Sequence, residues 1–203
     1  MAKKRAEPEK RQTTRCSKCG RVVPNYEIVN LGSIEKGYRQ LCGQCFNADT
    51  AQLSGLEDFE HLNFEPVRIA DCKGKPHDFH FRTRLFGPSV ALDAFELHDG
   101  NPAGYQFQII GDPEEDLMAL LARLVEKIRR ALSIKHLERG DLGLQIVDKV
   151  VRGGIEWDEK EDGRLPVLIV DGQEITWAQF GRLMMSFEGW QFKLEIFDKS
   201  EEF

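Results

Sequence analysis

Arg15-Cys16-Ser17-Lys18-Cys19-Gly20 and Leu41-Cys42-Gly43-Gln44-Cys45-Phe46 hold four of the five cysteines in two matched CxxC pairs, with 22 residues between Cys19 and Cys42. Each CxxC turn delivers two thiolates from one short loop, and four thiolates in a tetrahedron suit zinc. One Zn2+ on Cys16, Cys19, Cys42 and Cys45 is therefore expected. Four protein ligands leave no open coordination position, so the ion would be structural rather than catalytic. A module this small cannot hold itself by apolar burial alone, and zinc contributes on the order of 10–16 kcal/mol of apparent free energy to such units. The competing reading, a redox dithiol pair, needs a thioredoxin-like βαβ pattern that the flanking sequence lacks. Cys72 stands apart and reads as a small buried apolar group.

The rest of the chain is large enough to bury a core of its own, with 203 residues of which 41% are hydrophobic. No run of 18 apolar residues suggests a membrane span. The segment Met1-Ala2-Lys3-Lys4-Arg5-Ala6 lacks an apolar stretch, so a secretory signal is not expected. Paired cysteines without an export signal point to a reducing, cytoplasmic setting. Charge is uneven. Residues 1–21 hold eight Lys/Arg and two Glu, whereas the whole chain is at −6, which leaves the remainder at −12. A basic arm leading into a zinc module suits a polyanion, and the acidic body does not.

Residues 1–14 show no apolar periodicity and read as a disordered basic arm. Residues 15–55 form the zinc module: a first knuckle, a strand near Tyr26-Glu27-Ile28-Val29, a turn at Leu31-Gly32-Ser33, a return strand Gly37-Tyr38-Arg39-Gln40-Leu41, and a helix from Phe46 to Leu53. That order of elements, and the pattern CxxCG, GYR, CxxC, resembles treble-clef and zinc-ribbon-like modules of bacterial and phage proteins. Such modules serve in DNA binding, as nuclease accessories and as staples.

Residues 62–200 read as an α+β domain: a mostly antiparallel sheet packed by two helices. Phe79, Phe81, Thr83 and Leu85 alternate with Asp78, His80, Arg82 and Arg84, a half-buried strand. Val90 to Leu97 is the next strand, and Asp99-Gly100 turns the chain into a third bearing Tyr105, Phe107 and Ile109. Residues 62–72 can add one more. Asp112, Pro113 and Glu115 predict a capped helix start, and Leu117, Leu120, Leu121, Leu124, Ile128 and Leu132 give it a continuous apolar stripe closed near Gly140. Leu165 to Val170 is a buried strand. Thr176 and Gln179 form a second capping box for a helix bearing Phe180, Leu183, Met184 and Phe187. Trp190, Phe192, Leu194 and Ile196 alternate with Gln191, Lys193 and Glu195, which predicts a last strand. The stretches around Trp177 to Arg182 and Phe187 to Leu194, with His77 to Arg84, resemble an uncharacterised bacterial domain found behind small zinc modules. That resemblance implies a fold and a setting, with no activity attached.

The sequence offers no catalytic residue: GxSxG, HExxH, a P-loop and GxGxxG are all missing. His77 and His80 with Asp78 could suggest a second metal, but positions three apart on a strand face opposite ways. Asp78, His80, Arg82 and Arg84 share one strand face, and Gln106 and Gln108 join it from a neighbour. If both helices cover the other face, His80, Arg82, Arg84, Gln106 and Gln108 form an open polar site for a peptide, an acidic partner or a nucleic-acid backbone; the plainer alternative is a hydrated face with cross-strand ion pairs. The first functional reading is a non-enzymatic zinc protein that contacts DNA or RNA through Arg15, Lys18, Arg21, Arg39 and the basic arm. The second is a protein-interaction adaptor in which zinc is purely structural. The third is a hydrolase or nuclease using Asp78, His80 or Glu156. Oligomeric state is left open by the sequence.

Overall fold

The computed structural model describes residues 13–35, 37–56, 58–141 and 143–201. Its helices are embedded among sheets whose strand pairs are all antiparallel.

Strand β1 (Thr13–Arg15) pairs with β2 (Val22–Pro24) around the first CxxC turn. Thr13 and Thr14, read from sequence as the end of a disordered arm, are thus ladder residues; residues 1–12 lie outside the described part. A 3-10 turn, Asn25–Glu27, replaces the start of the expected strand at Tyr26. The hairpin of β3 (Ile28–Ser33) and β4 (Gly37–Cys42) follows, and Leu31-Gly32-Ser33 is strand rather than turn. Gly32 has φ +146, and a Cβ there would sit 2.1 Å from the Gly37 carbonyl oxygen, so only glycine lets the hairpin close. Helix α1 (Gly43–Ser54) starts directly after Cys42 and ends at left-handed Gly55.

The largest sheet has the order β5-β6-β7-β8, made of β5 (Val67–Ala70), β6 (Pro76–Phe86), β7 (Ser89–His98) and β8 (Asn101–Gly111). Helix α2 (Leu117–Leu132) packs on its apolar face. Leu117, Leu120, Leu124, Ile128 and Leu132 meet Phe79, Leu85, Val90, Leu92 and Ile109 in one core. Each such side chain stabilises by about 1.5–3 kcal/mol before chain entropy is subtracted. The helix begins later than the capping box at Asp112 predicts. Asp116 caps it by accepting from Met118 N, while Asp112 accepts from Glu114 N in the preceding turn. Ser133, well before Gly140, closes the other end.

A second apolar cluster follows. Strands β9 (Leu137–Gly140) and β10 (Gly143–Ile146) form a hairpin. A three-stranded sheet has the order β11-β12-β13, with β11 (Gly154–Trp157), β12 (Pro166–Val170) and β13 (Gln173–Thr176). Helix α3 (Trp177–Met184) opens on the capping box expected from Thr176 and Gln179, and its Leu183 joins Leu137, Val170 and Ile175. The expectation of one sheet packed by two helices is corrected here. The helices serve different sheets, because the polar link after α2 leads into new strands rather than back to the first. The last strand expected at Trp190 to Ile196 does not form: residues 190–197 carry no ladder pairing, and Phe192, Leu194 and Ile196 are exposed.

Strand β5 pairs with β6 only through residues 76–79, so the outer side of the rest of β6 lacks a strand neighbour among the described residues. Helix α1 fills that place. Asn47, fully buried, accepts from Leu85 N at 2.9 Å and donates to Thr83 O at 3.0 Å, as a neighbouring strand would. Replacing Asn47 with Ala leaves two buried backbone groups without partners, each worth about 1–3 kcal/mol. Urea unfolding of N47A is expected to show a lower midpoint with an unchanged slope, equivalent to a loss of about 2–6 kcal/mol of stability.

Candidate metal centre

The Sγ atoms of Cys16, Cys19, Cys42 and Cys45 lie within 4.8 Å of one another. The first pair sits in the turn between β1 and β2, and the second spans the end of β4 and the first turn of α1. Cys16 and Cys42 are buried with Val23 and Leu41 in a small cluster of their own, so the module has a core of a few side chains around its sulfurs. Backbone groups stabilise thiolate in the first knuckle. Burial opposes ionisation of Cys16, but N–H groups of Cys19, Cys42 and Lys18 outweigh it and bring its pKa down to about 6. Cys42 and Cys45 are pushed up, by burial first and by the neighbouring sulfurs. Thiolates crowded in this way repel one another unless a cation lies between them, and the cluster can hold a metal ion. Cys72 is exposed and outside the cluster, against the expectation of burial.

The basic residues assigned to nucleic-acid contact surround this centre, but most are locally engaged. Arg15 Nη1 donates to Gly20 O at 2.9 Å and Arg21 Nη1 to Gln44 Oε1 at 2.9 Å, while Lys18 pairs with Asp49. Arg39, on β4 opposite Leu31, is exposed.

The polar sheet face is composed as expected but is not open. His80, Arg82 and Arg84 lie on one face of β6, and the register carries that face through Phe95 and Asp93 to Gln106 and Gln108. The turn Asn25–Glu27 sits on it: the Tyr26 ring packs edge-on against Phe95 and His80, and the Tyr26 carbonyl accepts from Arg82 Nη1 at 2.9 Å. Asp93 is buried and accepts from Arg82 Nη2 at 2.7 Å and Gln108 Nε2 at 2.8 Å. Gln106 accepts from Lys199 Nζ at 3.1 Å. Arg84 is half-buried with its Nε unpartnered among the described residues, and burial followed by the charge of Arg82 lowers its pKa. The open site is therefore corrected to an intramolecular interface. Alternation shows which side chains share a face, and it is silent about which distant segment lies on them.

Of the residues named for a hydrolase, Asp78 and His80 share a face of β6 and Glu156 stands apart from them. Asp78 is held by Arg68 at 2.6 Å, His80 faces Tyr26, and Glu156 lies in the separate β11-β12-β13 sheet. His77 and His80 do face opposite ways: His77 is buried, its Nδ1 2.8 Å from Glu96 and its Nε2 3.5 Å from Asp71. Sequence reading missed the network this begins. Asp71, also buried, meets Lys135 Nζ at 3.0 Å, and Lys135 reaches the Tyr105 hydroxyl at 3.2 Å. Burial alone would raise the Asp71 pKa; Lys135 and the N–H groups of Lys75 and Lys73 outweigh it and hold that carboxyl well below the usual carboxylate range. Nearby, Asp171 accepts from the N–H groups of His136 and Leu137 at 2.9 and 2.8 Å. Both linkages tie the segment after α2 to earlier or later parts of the chain. An Asp71-Cys72 pair beside a Lys-Gly-Lys turn was the only local signal.

Three family profiles match consecutive parts of the chain, each described as a domain of unknown function: DUF7685 over residues 15–57, DUF7686 over 60–133 and DUF7713 over 136–201. No curated protein and no solved structure matches. The matched segments change just after the ends of α1 and α2, and each contains one of the three apolar clusters described above, apart from Ala51 of α1, which joins the large core. No helix among the described residues is long and apolar enough to cross a membrane.

Two outcomes test this account. Metal analysis of C42S should show bound metal falling from about one ion per chain to near zero, with residues 15–55 becoming protease-sensitive, whereas C72S should keep both properties. D71N should unfold with about 3 kcal/mol less stability at neutral pH, since it leaves Lys135 without its charge partner. A depressed folded pKa stabilises above the unfolded value of about 3.9 and loses that contribution as pH falls towards the folded one. The difference between wild type and D71N, followed by denaturant titration, should therefore narrow below about pH 4.

Proposed function

We propose that the chain is a non-enzymatic protein-interaction module of a reducing, cytoplasmic setting, in which one structural zinc on Cys16, Cys19, Cys42 and Cys45 fixes the N-terminal part against the body. The observation that carries the interaction reading is the exposed apolar surface beyond residue 136. Of the large apolar side chains that are exposed among the described residues, more than half lie between Val147 and Phe197, among them Ile155, Trp157, Met185, Phe192 and Leu194. Scattered surface apolar residues are ordinary, but so many exposed aromatic and aliphatic groups within one part of the chain favour a role in association. Zinc is supported by fit. Metal–sulfur bonds of about 2.3 Å in a tetrahedron put the sulfurs about 3.8 Å apart, and Cys19 Sγ lies 3.8 Å from Cys42 Sγ. The succession of knuckle, hairpin and helix follows the treble-clef order.

Nucleic-acid contact through the zinc module stands as the second reading, favoured by Arg39, which is exposed beside the module's other cations. It ranks second because Lys18 pairs with Asp49, and Arg21 and Arg15 each commit a donor to Gln44 and Gly20.

The readings separate in one experiment. The intact chain is immobilised in parallel with a W157S/F192S/L194S variant and an R15A/K18A/R21A/R39A variant, and the proteins retained from a lysate of the source cells are identified by mass spectrometry. A defined protein lost with the first variant and kept by the second supports the interaction reading, and an identical set on both overturns it. Duplex and single-stranded DNA or RNA binding that falls steeply with salt and is lost in the second variant supports the alternative.

A further inference from the structure

Residues 188–199 form a strap. All of them are exposed, and both ends are tied down. At the first end Trp190 packs edge-on against Phe187, with Lys149 Nζ over its ring. At the other, Lys127 Nζ on α2 donates to the carbonyls of Lys199 and Glu201 at 3.0 and 2.7 Å, and Lys199 reaches Gln106. Between these anchors Phe192, Leu194 and Ile196 are 80%, 72% and 70% exposed. The Lys193 and Glu195 side chains meet at 2.5 Å, which places them on one side of the chain, as extended backbone does for residues two apart. The apolar row therefore occupies the other side. A segment tied at both ends, alternating apolar and charged residues and carrying no ladder pairing among the described residues, offers its backbone for pairing.

We infer that the strap pairs antiparallel with the same strap of a second copy of this chain, about a two-fold axis at Leu194. The charges select this occupant. In that register residue 193 of one copy lies opposite residue 195 of the other, so Lys193 faces Glu195 twice, once on each side of the axis. Phe192 then lies opposite Ile196, an aromatic and β-branched pair on the apolar side, and Leu194 meets itself. A two-fold contact must be self-complementary in this way, and it closes at two copies. The anchors at Trp190 and Lys199 hold the strap between them, which lowers the ordering cost of pairing. The inference rests on the interaction reading and names its partner.

Sedimentation of the purified, metal-loaded full chain over a range of concentrations tests it. Wild type should approach twice its 23.2 kDa mass. K193E places Glu opposite Glu in both pairs and E195K places Lys opposite Lys, so each should weaken dimerisation about tenfold. An equimolar mixture of the two should recover the wild-type affinity or better, because every cross-strand pair is again opposite in sign. In a C72S background, L194C should cross-link to itself on oxidation. Both charged positions are exposed, and circular dichroism with metal analysis checks that each variant is folded. A chain that stays monomeric, a dimer indifferent to K193E and E195K, or a mixture no tighter than its components overturns the inference. A monomer that still retains a defined lysate protein, lost in W157S/F192S/L194S, refutes self-pairing and leaves the interaction reading standing. A dimer that responds as stated supports self-pairing whatever the lysate yields.

Discussion

The side chain of Asn47 stands where a strand should be. Beyond residue 79 the outer edge of β6 is not paired by β5, and Asn47 supplies the acceptor for Leu85 N and the donor for Thr83 O. Its place depends on the cysteines. Helix α1 begins at Gly43, inside the second CxxC pair, so the cluster that fixes Cys42 and Cys45 also fixes the helix that seals the sheet. The closeness of that approach is visible at Gly43, where a Cβ would lie 3.6 Å from the His61 ring and 4.0 Å from Thr83 O. Cysteine cluster, helix and sheet edge form one mechanical sequence.

The same docking explains the other face of the sheet. With α1 against the edge of β6, the turn Asn25–Glu27 reaches round to lay Tyr26 on Phe95 and His80. Residues 90–95 of β7 are consequently buried on both faces, and Asp93 is buried with its charge met by Arg82. A polar face that would be hydrated in an isolated sheet becomes an interface satisfied by ion pairs and hydrogen bonds. Buried charges are tolerated only with such partners. Arg84 departs from that rule, since its buried Nε has no partner among the described residues.

The second half is built on different terms. Its core of Leu137, Val170, Ile175 and Leu183 is small, and polar linkages secure it. Asp171 holds the backbone where β9 begins. Lys135 reaches back to Asp71, and Lys127 ties down the strap. Polar fastening fixes position with little apolar burial, which leaves large apolar side chains on the surface. That surplus directs attention to association rather than chemistry.

Much of this was legible in the residues themselves. CxxC spacing identified the four cysteines because a knuckle is a local structure. Alternation located β6, β7 and β8, and the capping box at Thr176 located α3, because strand period and cap chemistry act over a few residues. Three features were decided only by tertiary structure. Asp112 and Asp116 can each cap a helix, and the packing of Leu117 and Leu120 on the sheet selects Asp116. Residues 190–196 have the pattern of a strand, but a strand exists only when a partner's backbone lies beside it, and this chain presents none among its described residues. The face bearing His80, Arg82 and Gln108 has the composition of an open site and is covered by Tyr26, more than fifty residues away in sequence. Local patterns state what each segment is able to bury or pair; which distant segment answers it is fixed by the closing of the whole chain.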